Sequence, residues 1–498
     1  MTWTVSSLGT GYSINGPVAV TLVFAVAAAV AAGVGAAVLG GTLLIVLAVL
    51  PVAGAVFYRP FFGVLLLAAT IPIENILNVG GLGFGRAIGL AVFGAWFVQK
   101  IASRQSWSRV VSNGFFPAAI GFLIWVLASM LWAAHPVAVR SGFVRLAQMV
   151  ALALIIIDLA DSRRKLDLIA KVLVLSALAA AGTTLYQAEI LGVRRAGGDI
   201  AGGINETAIL LVTVIPLGFY LLRASGSFIW RLVGTLFLGI AVVSVVTTYS
   251  RLNLLLLPPL IALLFLLTVR ERRARGWLLA VTVVGSVGAA LFVPWDKLME
   301  RTETIDAYVD QTLQFGQAQA ATSPRGYHLR IALAIARDHP LIGVGYGNYG
   351  YFFRDEYQFQ VPGADRVYGS VRSPHSAYLG IAADLGAIGL ASWLLLLGLC
   401  AMSGIRAWRR ARTGGVRDLP ALIETLVIML GVHIFAYGFY TPDQMDKLLW
   451  MIMAMCIAVG YVVTADLENL GDREGVLGSE RESPIAGLYV GSLQRTDG

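Results

Sequence analysis

The sequence predicts an all-α membrane protein, a polytopic bundle of about 12–14 transmembrane helices with one large, partly helical periplasmic loop. Of the 498 residues, 57% are hydrophobic and only 13% are charged, which excludes a soluble globular protein of this size. Apolar windows long enough to cross a bilayer recur along most of the chain. One connection of roughly eighty residues interrupts them, and such a length is typical of a functional subdomain.

The predicted spans each hold about 20 mainly apolar residues between turns that contain arginine, glycine or proline. They are 17–35, 39–57, 60–78, 84–101, 115–133, 139–158, 166–189, 205–222, 229–249, 252–269, 276–294, 376–402, 418–441 and 445–464. The segment before Pro17 has no Lys or Arg, which is atypical of a cleavable signal peptide. We therefore expect the first span to remain in the protein.

One set of alternate loops holds many of the basic residues, and the positive-inside rule makes those loops and both termini cytoplasmic. These residues are Arg59, Lys100, Arg104, Arg109, Arg163, Arg164, Lys165, Arg223, Arg231, Arg270, Arg272, Arg273, Arg275, Arg406, Arg409, Arg410, Arg412 and Arg417. The net charge of +8 is thus explained by topology rather than by a nucleic-acid partner. The outer side has basic exceptions at Arg86, Arg140, the pair Arg194 and Arg195, Arg251 and the long loop.

The spans and the long loop divide the chain into four predicted parts. Residues 1–294 form an N-terminal transmembrane bundle, 295–375 the extracytoplasmic loop subdomain, 376–464 the C-terminal transmembrane helices, and 465–498 a polar cytoplasmic tail without expected structure. Within the loop, an apolar stripe from Arg325 to His339 predicts a helix that Pro340 ends.

After this helix come a glycine-spaced turn, 343–347, and an aromatic stretch, 349–359. The turn resembles half of a dinucleotide fingerprint, but no strand–turn–helix unit surrounds it, so a nucleotide site is not predicted. The aromatic stretch fits either an interfacial belt or a sugar-stacking surface. The histidines lack the spacing of a zinc site, and Cys400 and Cys456 lie within apolar runs, so neither a metal nor a disulfide is predicted.

Arginines on the outer side are the first candidates for chemistry. Arg251 lies at a span end, where it either snorkels to the headgroups or clamps a phosphate through its planar fork. Arg325 opens the loop helix, and Arg195 lies beside a glycine-rich turn. Together these separated arginines can neutralise a diphosphate.

His375 is the second candidate, because it lies where the loop re-enters the membrane and histidine can take a proton from a hydroxyl at neutral pH. The alternative is a helix-end histidine that bonds only to nearby backbone. Asp384 follows within the next span, where a carboxylate is energetically costly unless it pairs with another group or has a functional role.

Four segments resemble the O-antigen ligase and polymerase family, membrane transferases that act on undecaprenyl-diphosphate-linked glycans. The first is Pro374-His375-Ser376-Ala377-Tyr378-Leu379 together with Asp384-Leu385-Gly386-Ala387-Ile388-Gly389-Leu390. The second is Arg325 together with Asp338-His339-Pro340-Leu341-Ile342-Gly343-Val344-Gly345-Tyr346-Gly347-Asn348-Tyr349. The third is Thr248-Tyr249-Ser250-Arg251, and the fourth is Arg195-Ala196-Gly197-Gly198 together with Asn205. Their order, sidedness and loop length also match. Departures are Ser376, Asp384 and Ile204, where the family usually has asparagine, glutamate and proline.

The resemblance implies a GT-C-like enzyme of the bacterial inner membrane with a periplasmic active site. It would move or polymerise an undecaprenyl-diphosphate-linked oligosaccharide onto an acceptor hydroxyl of a glycan, lipid A–core or other acceptor, with inversion and without metal or other cofactor. His375 would be catalytic and Arg251, Arg325 and Arg195 would bind the diphosphate. Supporting positions would be Asp384, Asn205 and Tyr378. The competing hypothesis is a lipid-linked glycan transporter or flippase, although the sequence shows no convincing internal repeat.

Overall fold

The computed structural model describes residues 51–74, 84–193, 195–198, 200–201, 203–270, 274–281, 283, 324–359, 374–416, 419–439 and 445–481. Within these ranges the regular structure is helical, without strands, and the chain is an all-α polytopic membrane protein, as predicted. The predicted span at 17–35 and the part of the loop between 295 and 323 lie outside the described residues.

The helices of the described ranges are numbered here in chain order. They are α1 (Pro60–Thr70), α2 (Phe84–Ala102), α3 (Ser108–Val111), α4 (Phe115–Ala128), α5 (Pro136–Leu159), α6 (Arg163–Glu189), α7 (Ile204–Ala224), α8 (Phe228–Thr247), α9 (Arg251–Val269), α10 (Pro324–Asp338), α11 (Tyr349–Asp355), α12 (Ala377–Thr413), α13 (Leu419–Phe435) and α14 (Lys447–Arg481).

Seven of the described helices are long and apolar enough to cross a membrane, namely α5, α6, α7, α8, α9, α12 and α14. Shorter apolar helices are Pro60–Ile73, Phe115–Leu131 and Leu419–Phe435. Most of these helices begin and end within a few residues of the predicted spans, because strong apolar runs bounded by arginine, glycine or proline define membrane helices in sequence.

Helix α7 lies at the centre of the bundle, with 89% of its most apolar window buried. It packs against α6, α8, α9 and α13. A helix that is apolar on every face is covered either by other helices or by lipid, and the contacts of α7 show that other helices cover it. Helix α7 begins at Ile204, so Asn205 lies in its first turn. The packing of α7 therefore also fixes the position of Asn205.

Ion pairs join separate helices among the described residues of the bundle. Lys100 Nζ lies 2.6 Å from Asp158 Oδ1, with both side chains almost fully buried, and Trp96 Nε1 donates to the other carboxylate oxygen at 2.7 Å. Lys100 is therefore held in a buried pair at the end of α2 rather than in an open loop. Arg223 of α7 forms a second pair with Glu424 of α13, 3.0 Å apart.

The described part of the loop forms a small subdomain on the bundle. The predicted helix from Arg325 to His339 is confirmed as α10, which ends just before Pro340. Aromatic residues following the glycine turn pack onto α10 in a separate hydrophobic core, with Tyr349, Phe353 and Tyr357 all buried. These three side chains therefore form neither an interfacial belt nor a sugar-stacking surface, whereas Phe359 is 69% exposed.

The C-terminal tail departs from the expectation of no structure beyond 464. Helix α14 continues through Asp466 and Leu470 and ends at Arg481. Ala, Leu and Glu between 465 and 470 favour a helix, and Leu467 packs against Gly414 at the end of α12. The local composition is polar, but this tertiary contact stabilises the continued helix.

Candidate active site

The glycine turn 343–347 wraps around the carboxylate of Asp384. The backbone N–H of Gly347 donates to Asp384 Oδ2 and that of Tyr349 donates to Oδ1, both at 2.7 Å. The Asp384 main chain takes part as well, because its carbonyl accepts from the N–H of Gly345 at 2.7 Å. Asp384 thus anchors the loop subdomain and accepts at the N-terminus of α11, where a negative charge is favoured.

Two glycines let the backbone of the turn and the backbone of helix α12 come into direct contact. Gly343 has φ +65° and Gly386 has φ +67°, values that favour glycine. A Cβ at Gly343 would overlap the backbone of Asp384 and Leu385, and a Cβ at Gly386 would overlap that of Leu341. The Gly386 bend divides α12 and frees the N–H of Ala387 to donate to the Pro340 carbonyl at 2.8 Å.

His375 lies at the point where the loop subdomain meets α12. It is half-buried, and its φ of +54° is in the left-handed region that a non-glycine residue rarely adopts. Its ring meets the ring of His328 edge to face, with centroids 5.4 Å apart. His328 belongs to α10, so the loop helix supplies one wall around His375.

The core of the loop subdomain holds His328 in place. Its ring stacks on Phe353 with centroids 4.5 Å apart, and its Nδ1 lies 3.3 Å from the Tyr349 hydroxyl. That hydroxyl donates to the His328 carbonyl at 2.9 Å. Burial raises the pKa of Tyr349, so the phenol remains protonated and keeps this donor role at neutral pH. His328 therefore presents a fixed ring to His375.

The residues after His375 attach the start of α12 to the end of α13. Ser376 is the N-cap of α12, accepts from the N–H of Leu379 and donates to the Gly438 carbonyl at 3.2 Å. The Tyr378 hydroxyl donates to the Ile434 carbonyl at 2.6 Å. His375 is thereby held between the loop subdomain on one side and α13 on the other.

Arg251 is the first residue of α9 and is half-buried. Tyr249, two residues earlier, has φ +51°. The described ranges contain only three non-glycine residues with positive φ, and two of them are Tyr249 and His375. Since such conformations persist only where their surroundings enforce them, this strain is an independent indication of a functional site.

A chain of buried hydrogen bonds enforces the turn before Arg251. Tyr437 donates to Asn253 Oδ1 at 2.7 Å, Asn253 donates to Ser250 Oγ at 2.9 Å, and Ser250 donates to Asn205 Oδ1 at 3.1 Å. Tyr437 precedes Gly438, which accepts from Ser376. The network therefore joins the first turns of α7 and α9 to the segment that positions His375.

Arg195 approaches the same segment from the glycine-rich turn before α7. The Arg195 side chain is exposed, and its Nε lies 3.5 Å from the Thr248 carbonyl, three residues before Arg251. Gly197, with φ +97°, accepts from Thr207 Oγ1 at 2.7 Å, which folds the turn onto α7. Arg194 lies outside the described residues.

Arg325 lies in the first turn of α10, and its side chain is outside the described part of the chain. Residues three apart on a helix are neighbours on its surface. Position 325 therefore lies on the same face of α10 as His328, whose ring contacts His375. The Gly turn, α10 and the start of α12 thus bring the predicted loop residues to one end of the bundle.

Three residues of this region were not predicted from the sequence, namely His328, Asn253 and Tyr437. Asn253 carried a usable signal, because a polar side chain in an apolar span is expensive and usually has a purpose. Tyr437 and His328 carried none, since their partners are remote in sequence. Within the described ranges, no group of three or more His, Cys, Asp or Glu side chains is placed to hold a metal ion.

Residues 236–394 match the family model Wzy_C, described as O-antigen ligase. This segment of the chain is similar to the O-antigen ligase family. The resemblance found in the sequence is thereby confirmed, and it supports a membrane glycan transferase of the O-antigen ligase or polymerase type. Comparison with curated proteins gives no match. The matched segment includes Arg251, α10, the glycine turn and His375, whereas Arg195 and Asn205 precede it.

Proposed function

We propose that the protein transfers or polymerises an undecaprenyl-diphosphate-linked glycan onto an acceptor hydroxyl in the assembly of a surface polysaccharide, O-antigen or exopolysaccharide. The reaction inverts the anomeric centre and needs no metal. The observation that carries the proposal is the position of His375. It lies inside the segment that is similar to O-antigen ligases, in a left-handed backbone conformation, between the loop subdomain and the helices that lead to Arg251.

His375 is the proposed general base. The oxygen of the acceptor hydroxyl attacks the anomeric carbon, the bond from that carbon to the diphosphate oxygen breaks, and the hydroxyl proton passes to the imidazole. Histidine suits this role because its ordinary pKa is close to neutral pH. The neighbouring His328 fixes the orientation of the ring, since it is itself held by Phe353 and Tyr349.

Arg251 and Arg325 are the proposed partners of the departing diphosphate, and Arg195 is a weaker third. Guanidinium groups remain charged and bind phosphate oxygens in bidentate fashion, so they stabilise the charge that grows on the leaving group. One contact and one helix position support this grouping: Arg195 Nε lies 3.5 Å from the Thr248 carbonyl near Arg251, and position 325 shares a helix face with His328.

The supporting residues act through structure. Asn205 accepts from Ser250 and so steadies the turn before Arg251, while Tyr378 anchors the start of α12 through its bond to Ile434. Asp384 positions the loop subdomain through the N–H groups of Gly347 and Tyr349. These residues are expected to alter activity by moving the reacting groups rather than by touching them.

The proposed location is the bacterial inner membrane, with both termini in the cytoplasm and the active site on the periplasmic side. Two observations support this location. Basic residues are distributed over alternate loops, and the loop subdomain is bonded to the bundle at one end. A lipid-linked donor would then reach the site from the outer leaflet. The acceptor would be a glycan, lipid A–core or another hydroxyl compound.

Glycan transfer by the purified protein tests the proposal. The full chain in lipid is given undecaprenyl-diphosphate oligosaccharide and candidate acceptors in the presence of EDTA, and products are followed by mass spectrometry. We expect transfer by the wild type, and a loss of about 10²–10⁴-fold for His375→Ala, the usual effect of removing a general base. His339→Ala is the matched control, because His339 lies in the same subdomain against Phe352.

Full transfer by a folded His375→Ala variant would contradict the mechanism. Transport of the lipid-linked glycan across the bilayer without any modified acceptor would favour the transporter hypothesis instead. Loss of transfer in EDTA that added Mg²⁺ restores would refute the metal-independent reaction. Arg251→Lys adds a further test, because lysine retains the charge but loses the planar fork, so transfer should fall.

A further inference from the structure

An open groove lies between the first half of α5 and the start of α2, at the same end of the bundle as the candidate active site. Arg140 and Arg145 of α5 and Arg86 of α2 line it, and we call it the arginine groove. We propose that the arginine groove binds the phosphate headgroup of an anionic membrane lipid. This site is separate from the one proposed for transfer.

The groove occupies one face of α5. Its lining positions on that helix are 137, 140, 141, 144, 145 and 148, a spacing that places side chains in adjacent rows of a helix surface. An adjacent face of α5 meets the loop subdomain: Tyr346 packs on Gly142, and His135, just before the helix, stacks on Tyr351 with ring centroids 4.0 Å apart. The groove therefore lies level with the loop subdomain, close to the end of the bundle.

The charges in the groove favour an anion. All three arginine side chains are exposed, and the lining contains no acidic residue. No carboxylate in the described part of the chain forms an ion pair with Arg86, Arg140 or Arg145. Arg86 and Arg140 are also exceptions to the positive-inside rule, so topology does not account for them.

Apolar surface beside the charges indicates that the anion belongs to a lipid. Val137 and Val144 line the groove and are 77% and 48% exposed. One turn after Arg86, Leu90 is 64% exposed and continues the apolar surface along α2. Val144 and Leu90 each lie one turn farther along their helices than Arg140 and Arg86, so exposed apolar side chains flank the guanidinium groups. This arrangement fits a phosphate with attached acyl chains better than a free phosphate.

Binding of tail-labelled phosphatidylglycerol tests this proposal. The full chain in neutral detergent is titrated with the labelled lipid, and Kd is read from fluorescence anisotropy. Loss of one arginine should weaken binding about fivefold, and loss of all three in R86Q/R140Q/R145Q roughly a hundredfold. The triple lysine variant should stay within about fivefold of the wild type, because it retains the charge.

The matched control is R406Q/R409Q/R410Q, which removes the same charge from exposed arginines at the far end of α12. Its affinity should equal that of the wild type. Equal affinity in R86Q/R140Q/R145Q would overturn the proposal, provided that size-exclusion chromatography shows a folded protein. If unlabelled phosphatidylcholine or soluble glycerol phosphate displaces the probe as well as phosphatidylglycerol does, an anionic lipid is not the ligand and the proposal also fails.

Discussion

Asp384→Asn separates a structural role of this carboxylate from a chemical one. In the wild type both carboxylate oxygens accept backbone N–H groups, those of Gly347 and Tyr349, at 2.7 Å. Asparagine keeps one acceptor and turns an NH₂ donor toward the other N–H. One charge-assisted hydrogen bond contributes about 1.5–3 kcal/mol. The free energy with which the loop subdomain docks on α12 should therefore become roughly 2 kcal/mol less favourable.

The assay is amide hydrogen exchange of peptides that cover the glycine turn and α11. A loss of about 2 kcal/mol should speed exchange at residues 347 and 349 roughly 30-fold. Asp355→Asn is the control, because Asp355 is exposed and its carboxylate pairs with Arg354 beside it. Unchanged protection in Asp384→Asn together with lost glycan transfer would refute the structural role and assign Asp384 to the chemistry.

Three further predictions concern the bundle. Lys100→Met or Asp158→Leu alone should lower the free energy of unfolding by about 3–5 kcal/mol, as measured by thermal denaturation in detergent. The double variant should recover part of that loss but stay about 1–3 kcal/mol below the wild type, because Trp96 Nε1 loses its buried acceptor. Tyr437→Phe leaves a buried asparagine oxygen without its donor, so it should cost about 1–3 kcal/mol in the same assay and reduce transfer. Gly386→Ala should abolish docking of the loop subdomain in limited proteolysis, whereas Gly398→Ala, in open space within the same helix, should be neutral or stabilising.

Within the described residues, most membrane helices begin and end within a few residues of the predicted spans, and the physical reason is the membrane itself. A bilayer imposes a fixed length and an apolar composition on each span, so helices such as α7 and α9 can be delimited by counting. The loop helix α10 was equally accessible, because its apolar stripe and Pro340 are local signals. The continuation of α14 was not, since it depends on the contact of Leu467 with Gly414.

The role of the glycine turn could not be predicted from sequence patterns. A nucleotide site was not predicted, because no strand–turn–helix unit surrounds the turn. Nothing in the local sequence indicated that the turn encloses Asp384, which lies far along the chain. The close approach depends on positive φ at both Gly343 and Gly386. Each glycine alone suggests a turn, but the pairing of the two requires tertiary structure.

The candidate site was predictable to the extent that its residues lie at span ends. Arg251 and His375 were identified because a charge or a histidine at the boundary of an apolar run is conspicuous. The residues that position them were hidden: Tyr437 is fully buried and contacts Asn253 across the bundle, and His328 reaches His375 from the loop. Buried hydrogen-bond networks depend on packing that a single sequence does not encode locally.

The two strained residues divide the site into a fixed part and a loop-borne part. A left-handed conformation costs a non-glycine residue about 1–2 kcal/mol. At Tyr249 the network of Ser250, Asn253 and Tyr437 opposes that cost entirely within the bundle. At His375 the opposing contacts come from both sides: the neighbouring Ser376 donates to Gly438 in the bundle, and the ring of His328 in the loop packs on that of His375. Displacement of the loop subdomain would therefore disturb the proposed base and position 325 while leaving the turn before Arg251 in place. We expect perturbations of the glycine turn to reduce transfer through the base without abolishing donor binding.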